Sequence, residues 1–385
     1  ADGGAPAEEA LAADDQCGDG SCALSALQLR TRPRRQAGNA SEAGNASASR
    51  YALTWEASGD AFFEDWTFVT DNLVHGAQQY EAKAEALRDG LAYTQNGTAI
   101  IRVGGLGSQP YTRKSVRMHT NHAWSPQQSF VALLRYEHLP FGCSVWPSFW
   151  SVNSDRVWPG GGELDILEYA NAEGSSASFH TSHPGCYVQT WKVYQKIFGG
   201  DMPRSADCLT DYWNAAPKMG CRPSQHSHSG DWWSGNPGIV GAEWTAEHVK
   251  VFHIPEDRIP EDIHSGNPEP GTWDRFLIAY LPFSPGCAAA AQPQELILNI
   301  QLCGDWAGHA WHNSCHAAHS SGCTNDIFDP PNDCCTQFMM SPHGKQTMKH
   351  AYFAIKSLKV FTPPGTIPHL SGTYMRGGAP LKAPR

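Results

Sequence analysis

The sequence predicts an all-β fold, on three observations: dense punctuation by turn residues, aromatic and β-branched clusters between the breaks, and weak helical periodicity. The 385 residues include 37 Gly, 27 Pro and 14 Trp, with only 17% charged residues. That mixture suits many short strands joined by long, turn-rich loops. A β-sandwich can exceed about 200 residues as a single unit, so one main domain is expected. The net charge of -10 provides no basic field for a phosphate backbone or an anionic membrane, which argues against nucleic acid as a partner.

Taken in chain order, residues 1–50 are rich in Ala, Gly, Ser and acids and nearly lack aromatics. Such a segment cannot bury enough apolar surface to offset its ordering entropy and reads as a disordered leader. The pair Arg34-Arg35 reads as an exposed basic turn or a processing site, and the Ala1 start reads as a processed or trimmed chain with no signal peptide. From Tyr51 the texture changes, and strands are expected at Ala99 to Val103, Ser129 to Arg135, Glu163 to Tyr169, His248 to His253, Glu295 to Leu302 and Ala351 to Phe361. A short helical period covers Glu81 to Leu87. This body ends at residue 361, and residues 362–385, rich in Pro and Gly, read as a linker or free tail.

Twelve cysteines without any CxxC pair point to disulfides and an oxidising compartment. Cys17 and Cys22 could close a small local loop, and the adjacent Cys334 and Cys335 are expected to reach different partners. Three glycosylation sequons, at Asn39, Asn45 and Asn96, agree with secretion. No apolar run approaches a membrane span.

The run Gly160-Gly-Gly-Glu163-Leu-Asp165-Ile-Leu-Glu168-Tyr169 sets three carboxylates in an otherwise apolar strand. Burying such charges is costly unless they are paired, hydrated or used. In a regular strand Glu163 and Asp165 share one face and Glu168 falls on the other; one β-bulge near Ile166-Leu167 returns Glu168 to its neighbours. Two carboxyl groups facing one sugar ring are what glycoside cleavage requires, one to protonate the leaving oxygen and one to attack or to activate water. Spacing alone leaves retention and inversion both open. Calcium ligands usually come from loops rich in Asp, Asn and Gly, so no metal is assigned to these acids.

This run resembles the bulged catalytic signature of glycoside hydrolase family 16, in particular the eukaryotic endo-1,3(4)-β-glucanase or laminarinase branch. Further blocks are similar and stand in the usual order, among them Pro140 to Trp150, Trp158-Pro-Gly-Gly-Gly, Phe179-His-Thr-Ser182, Ala242-Glu-Trp-Thr245 and Leu298 to Gly308. The resemblance covers residues 51–361 and implies a β-jelly-roll sandwich of the concanavalin A-like type, two antiparallel sheets with a concave substrate groove. It also implies a secreted retaining endo-glycosidase acting on β-1,3 or mixed β-1,3/1,4 glucan. Carried over by residue, Glu163 is the nucleophile, Glu168 the general acid and base, and Asp165 the group between them that tunes the nucleophile. No cofactor is required, a structural calcium on the convex face would be in keeping with the resemblance, and a monomer is expected.

Sugar rings present apolar C–H faces, so aromatic platforms with a few polar groups are the usual way to hold them. Trp150 and Trp158 match tryptophans that look glucan-contacting in the family, with a buried structural role as the alternative. His180 resembles a histidine that supports the acid/base and touches sugar. Asn171 reads as substrate-orienting or strand-ending, and Glu243 with Trp244 as cleft contacts or core packing. His226/His228 and His312/His316 have metal-like spacing but no companion ligands, and read as loop histidines. The Cys-bearing stretch 185–235, with Trp213, Trp232 and Trp233, departs from the branch's usual pattern and leaves fine specificity open. The alternatives to hydrolysis are transglycosylation with the same two glutamates and non-catalytic β-glucan binding; the latter would be expected to lack one of the acids.

Overall fold

In the computed structural model, residues 50–72, 74–192, 205–211, 218–222, 227–315 and 322–377 are described. The expectations for Cys17, Cys22, Arg34-Arg35, Asn39, Asn45, Trp213, His226 and His316 lie outside them. Two antiparallel sheets carry the fold, as the strand texture predicts. The first has seven strands, in the order Ser176–His180, Glu163–Glu168, Val145–Val152, Gln294–Leu302, Arg117–Trp124 and His369–Leu370, with Trp66–Phe68 also paired to Arg117–Trp124. The second has eight, in the order Leu277–Pro282, His248–Pro255, Gly238–Trp244, Phe130–His138, Tyr352–Thr362, Thr98–Arg102 and Ala92–Gln95, with Ala52–Ser58 also paired to Tyr352–Thr362. Each strand expected from sequence is present with its ends shifted by a few residues. The short helix is Lys83–Arg88. Asn96 and Gly97, both at positive φ, form the tight turn between Ala92–Gln95 and Thr98–Arg102, which leaves the Asn96 side chain of the third sequon exposed at a hairpin tip.

One face of the seven-stranded sheet closes the main core. Met118, Phe149, Leu164, Leu167, Phe179, Leu296 and Leu298 pack there against Ala132, Leu134, Val240, Trp244, Val251 and Leu358 of the eight-stranded sheet. The eight-stranded sheet is covered on its other face too, where Val131, Leu133, Ile239, Phe252 and Phe361 pack with Trp273 and Phe276 from the connecting segment. Strands buried on both faces read as continuous apolar runs, as in Phe130-Val-Ala-Leu-Leu134.

The other face of the seven-stranded sheet is left to polar and aromatic side chains. Directly paired residues of antiparallel strands share a face, so the register writes out rows across it. One row is Glu163, Val152, Glu295, Ala123 and His369; the next is Asp165, Trp150, Ile297 and His119; a third is Glu168, Ser148, Asn299 and Arg117.

Of the stretch 362–385 expected as a free tail, the described residues 362–377 are ordered onto the fold. His369–Leu370 adds to the edge of the seven-stranded sheet, the turn Gly372–Met375 follows, and Ser371 and Thr373 are buried. The Ser371 hydroxyl caps that turn by accepting from the Tyr374 amide, which gives a Gly-rich segment a fixed shape.

Ten cysteines pair as Cys143–Cys315, Cys186–Cys287, Cys208–Cys221, Cys303–Cys335 and Cys323–Cys334, so Cys334 and Cys335 do reach different partners. Among the described residues no helix is long and apolar enough to cross a membrane.

Candidate active site

The strand Glu163–Glu168 changes register with both neighbours after Asp165: Asp165 pairs with Trp150, Leu167 with Phe149 and Glu168 with Ser148. The extra residue is Ile166, which with Leu164 and Leu167 enters the core. Burial of these three apolar side chains on one side turns Glu163, Asp165 and Glu168 together onto the polar face. Gly162, at φ 81, turns the chain into the strand, and a Cβ there would meet the Ala290 carbonyl at 2.8 Å.

Each acid is held by its own donors. Trp158 Nε1 donates to Glu163 Oε2 at 2.9 Å. Ser178 Oγ donates to Asp165 Oδ2 at 2.6 Å, and His180 Nε2 lies 3.2 Å from the same oxygen. Glu168 Oε1 accepts from Trp146 Nε1 at 2.7 Å and from Ser148 Oγ at 3.1 Å. Both donors converge on Oε1, which leaves Oε2 to carry a proton.

Burial raises the Glu163 carboxyl well above its ordinary value, and the charges of Asp165 and Glu168 push the same way against Trp158 and Arg117. Glu168 is pushed up to about 8, by burial first and then by Asp165, with Trp146, Arg222 and Ser148 opposing. Both glutamates keep part of their surface open to the polar face. With both raised, the pair retains a proton near neutrality instead of ionising twice.

Of the residues singled out from sequence, Trp150, Trp158 and His180 stand at this site. Trp150 is half-buried beside Asp165, donates to Asn299 Oδ1 at 2.5 Å and lies under the Arg117 guanidinium. Trp158 and His180 pack with ring centroids 6.2 Å apart. His180 is buried, its Nδ1 lies 3.1 Å from Thr210 Oγ1, and a Cβ on Gly220 would meet that nitrogen at 2.7 Å.

Three assignments are corrected. Asn171 is 2% exposed and its amide is taken up by the protein: Oδ1 accepts from the Ser144 amide, and Nδ2 donates to the Ala307 carbonyl and to Ser314 Oγ. At φ 55 it shapes the turn after the strand, and it has no donor left for a sugar. Trp244 is 1% exposed in the main core, edge-on to Phe179. Glu243 belongs to the same strand of the eight-stranded sheet and is bound there by Tyr51 and His248. Neither reaches the polar face of the seven-stranded sheet.

Several site residues escaped the sequence reading. Trp146 and Ser148 stand at alternate positions from Trp150 in Val145–Val152, so the two-residue period of that strand was the available signal. Thr210 had none, because it comes from the stretch 185–235. That stretch bridges to the edge strand at Phe179–Cys221 and Thr181–Leu209, and so supports His180. Among the described residues, the groups of His, Cys, Asp or Glu close enough to share an ion are two disulfide clusters and the trio Glu163, Asp165 and His180.

Residues 65–361 match the XgeA-like catalytic GH16 domain. A probable glycosidase of Schizosaccharomyces pombe is 28% identical over 323 residues, covering 82% of this chain and 70% of its own length. The Endo-1,3(4)-beta-glucanase xgeA of Emericella nidulans is 28% identical over 344 residues, covering 83% of this chain, and the chain spans 49% of that relative's length. Among solved structures, Laminarinase 16A from Phanerochaete chrysosporium, with beta-glucans in donor and acceptor sites, superposes with a TM-score of 0.65 at 25% identity, over 81% of this chain and 99% of that one. An elongating GH family 16 beta-1,3-glucosyltransferase shares the fold at a TM-score of 0.68 and 24% identity, over 81% of this chain and all of that one. The matched span, the two jelly-roll sheets and the three acids of the bulged strand together place this chain in glycoside hydrolase family 16, with its XgeA-like catalytic domains.

Proposed function

We propose that the protein is a secreted, retaining endo-hydrolase of β-1,3 or mixed β-1,3/1,4 glucan. The observation that carries this reading is the bulge that sets Glu168 on the same face as Glu163 and Asp165. Glu163 attacks the anomeric carbon while Glu168, protonated on Oε2, gives its proton to the departing glycosidic oxygen. Glu168, now a carboxylate, then takes a proton from water, which attacks the glycosyl ester and frees Glu163. Trp146 and Ser148 stabilise Glu168 when it is ionised, and Asp165, held by Ser178 and His180, lies between the two glutamates and tunes the nucleophile. Trp158 and Trp150 supply platforms on either side of this machinery. All these groups come from one chain, so a monomer suffices, and no step calls for a cofactor. The five disulfides support placement outside the cytosol.

The test is reducing-end release from laminarin, with lichenan, cellulose and agarose alongside. Glu163→Gln and Glu168→Gln are each expected to keep the fold and to lose at least about a thousandfold in rate. Proton NMR of the first products should show the β anomer. Wild-type activity in either variant, or an α anomer formed first, would remove the mechanism.

A further inference from the structure

His180 ends the edge strand Ser176–His180, with one ring nitrogen toward the catalytic acids and the other toward the stretch 185–235. Two arms of that stretch, 205–211 and 218–222, pair with each other at Thr210–Met219 and Asp211–Lys218 and are tied by the Cys208–Cys221 disulfide. They grip the edge strand on either side of His180. Cys221 exchanges backbone hydrogen bonds with Phe179 at 2.9 and 3.0 Å. The Thr181 amide donates to the Cys208 carbonyl at 3.1 Å, and the Thr210 amide donates to the Thr181 carbonyl at 2.8 Å. Gly220, at φ 77, lies so close that a Cβ would meet the Phe179 carbonyl at 2.6 Å and the His180 ring at Nδ1 at 2.7 Å, so no side chain fits there.

The hydrogen-bond partners decide which ring nitrogen carries the proton. Ser178 Oγ gives its single proton to Asp165 Oδ2 at 2.6 Å. His180 Nε2 lies 3.2 Å from both of these oxygens, and toward it a carboxylate and an already donating hydroxyl can only accept. Nε2 is therefore the protonated nitrogen. Nδ1 of the neutral ring is then an acceptor, and the donor it meets is the buried Thr210 hydroxyl, 3.1 Å away. Thr210, His180 and Asp165 thus form a chain in which every proton points toward the acids.

We propose that Thr210 is a positioning residue for the reaction: its hydroxyl fixes the His180 tautomer that donates to Asp165, which makes the disulfide-tied arms 205–211 and 218–222 part of the catalytic apparatus. The inference rests on the glucanase reading above. Without the hydroxyl the buried Nδ1 loses its donor, and the ring is no longer held to one tautomer facing Asp165. The charge of Asp165 acts on Glu163 and Glu168, which Arg117 and Arg222 also reach. A donor withdrawn from one anion of this group makes the group take up protons at higher pH. The working state carries a single proton, on Glu168, so the second, inactivating proton arrives earlier as pH falls.

The test compares wild type, Thr210→Val and Thr210→Ser by kcat and KM on laminarin across pH and by melting temperature, with nitrogen NMR of histidine-labelled wild type alongside. Thr210→Val keeps the side-chain shape and is expected to lower kcat about tenfold with little change in KM, and to move the acid limb of the profile up by about half a pH unit. Thr210→Ser keeps the hydroxyl and is expected to restore both. In the wild type near neutrality, His180 should carry its proton on Nε2. A fall in melting temperature with an unmoved pH profile in Thr210→Val overturns the proposal, by making Thr210 a structural support. Thr210→Ser as impaired as Thr210→Val overturns it as well, because packing and not the hydroxyl would then matter. A proton on Nδ1 of wild-type His180 overturns it even where a variant fails to fold. Failure of the wild type to cleave laminarin overturns the glucanase reading on which it rests, an outcome on which the NMR signal does not depend.

Discussion

In the proposed mechanism Glu168 must hold a proton to leave the ground state and release it to reach the intermediate. Its pKa of about 8 in the folded protein sets the alkaline limit, so kcat/KM on laminarin should fall tenfold per pH unit once pH passes about 8. The same shift couples to stability. The folded pKa lies above the ordinary glutamate value of 4.5, so folding takes up a proton between the two. The contribution of this group is fully present below the ordinary value and is lost as pH rises through about 8. Glu168→Gln should therefore raise the melting temperature at about pH 9 and change it little at about pH 4, as differential scanning calorimetry would show. Asn171 predicts the opposite pattern: Asn171→Ala should cost about 1–3 kcal/mol by stranding the Ser144 amide and the Ala307 carbonyl, with kcat/KM of the folded fraction unchanged. Denaturant titration with parallel kinetics separates the two effects. The acids were legible in sequence because charge in an apolar strand is costly and so conspicuous. Asn171 stayed between two roles because a polar residue beside a site looks the same in sequence whether its amide faces sugar or backbone.

At the scale of elements, what could be read depended on how many faces a strand buries. Glu163–Glu168 has one core face and one polar face, so its two-residue period showed the bulge. Gly238–Trp244 is buried throughout, and its sequence carries no sign of which face is which. That is why Trp244 could be taken for a sugar platform. Trp244→Ala should cost about 3–5 kcal/mol in denaturant titration, as removal of a core aromatic does. Trp158→Ala should instead raise KM on laminarin while the unfolding midpoint stays near that of wild type. The C-terminal segment was missed for a different reason: its Gly and Pro content describes a chain able to turn sharply, and only the partner strand and Glu295 decide that it docks.

Across the whole molecule, texture alone marked the all-β class, while the pairing order of the two sheets depends on contacts between residues far apart in the chain, which no local pattern records. The disulfides span the same distances: Cys143–Cys315 joins residues 172 apart and Cys186–Cys287 residues 101 apart. Closing loops of that size stabilises the fold by limiting the unfolded chain, by about 4–5 kcal/mol each in the chain-entropy view. The double variant Cys186→Ser/Cys287→Ser should lose about 2–5 kcal/mol, measured by urea unfolding at fixed pH.

The two margins of the seven-stranded sheet are both occupied. The stretch 185–235 bridges to Ser176–His180 on one side, and on the other Trp66–Phe68 and His369–Leu370 divide the outer side of Arg117–Trp124 between them. Unpaired strand backbone is a template for neighbouring molecules, so this covering denies them a place to add. Backbone that would otherwise template edge-to-edge association is thereby taken up by the chain's own short strands and bridges.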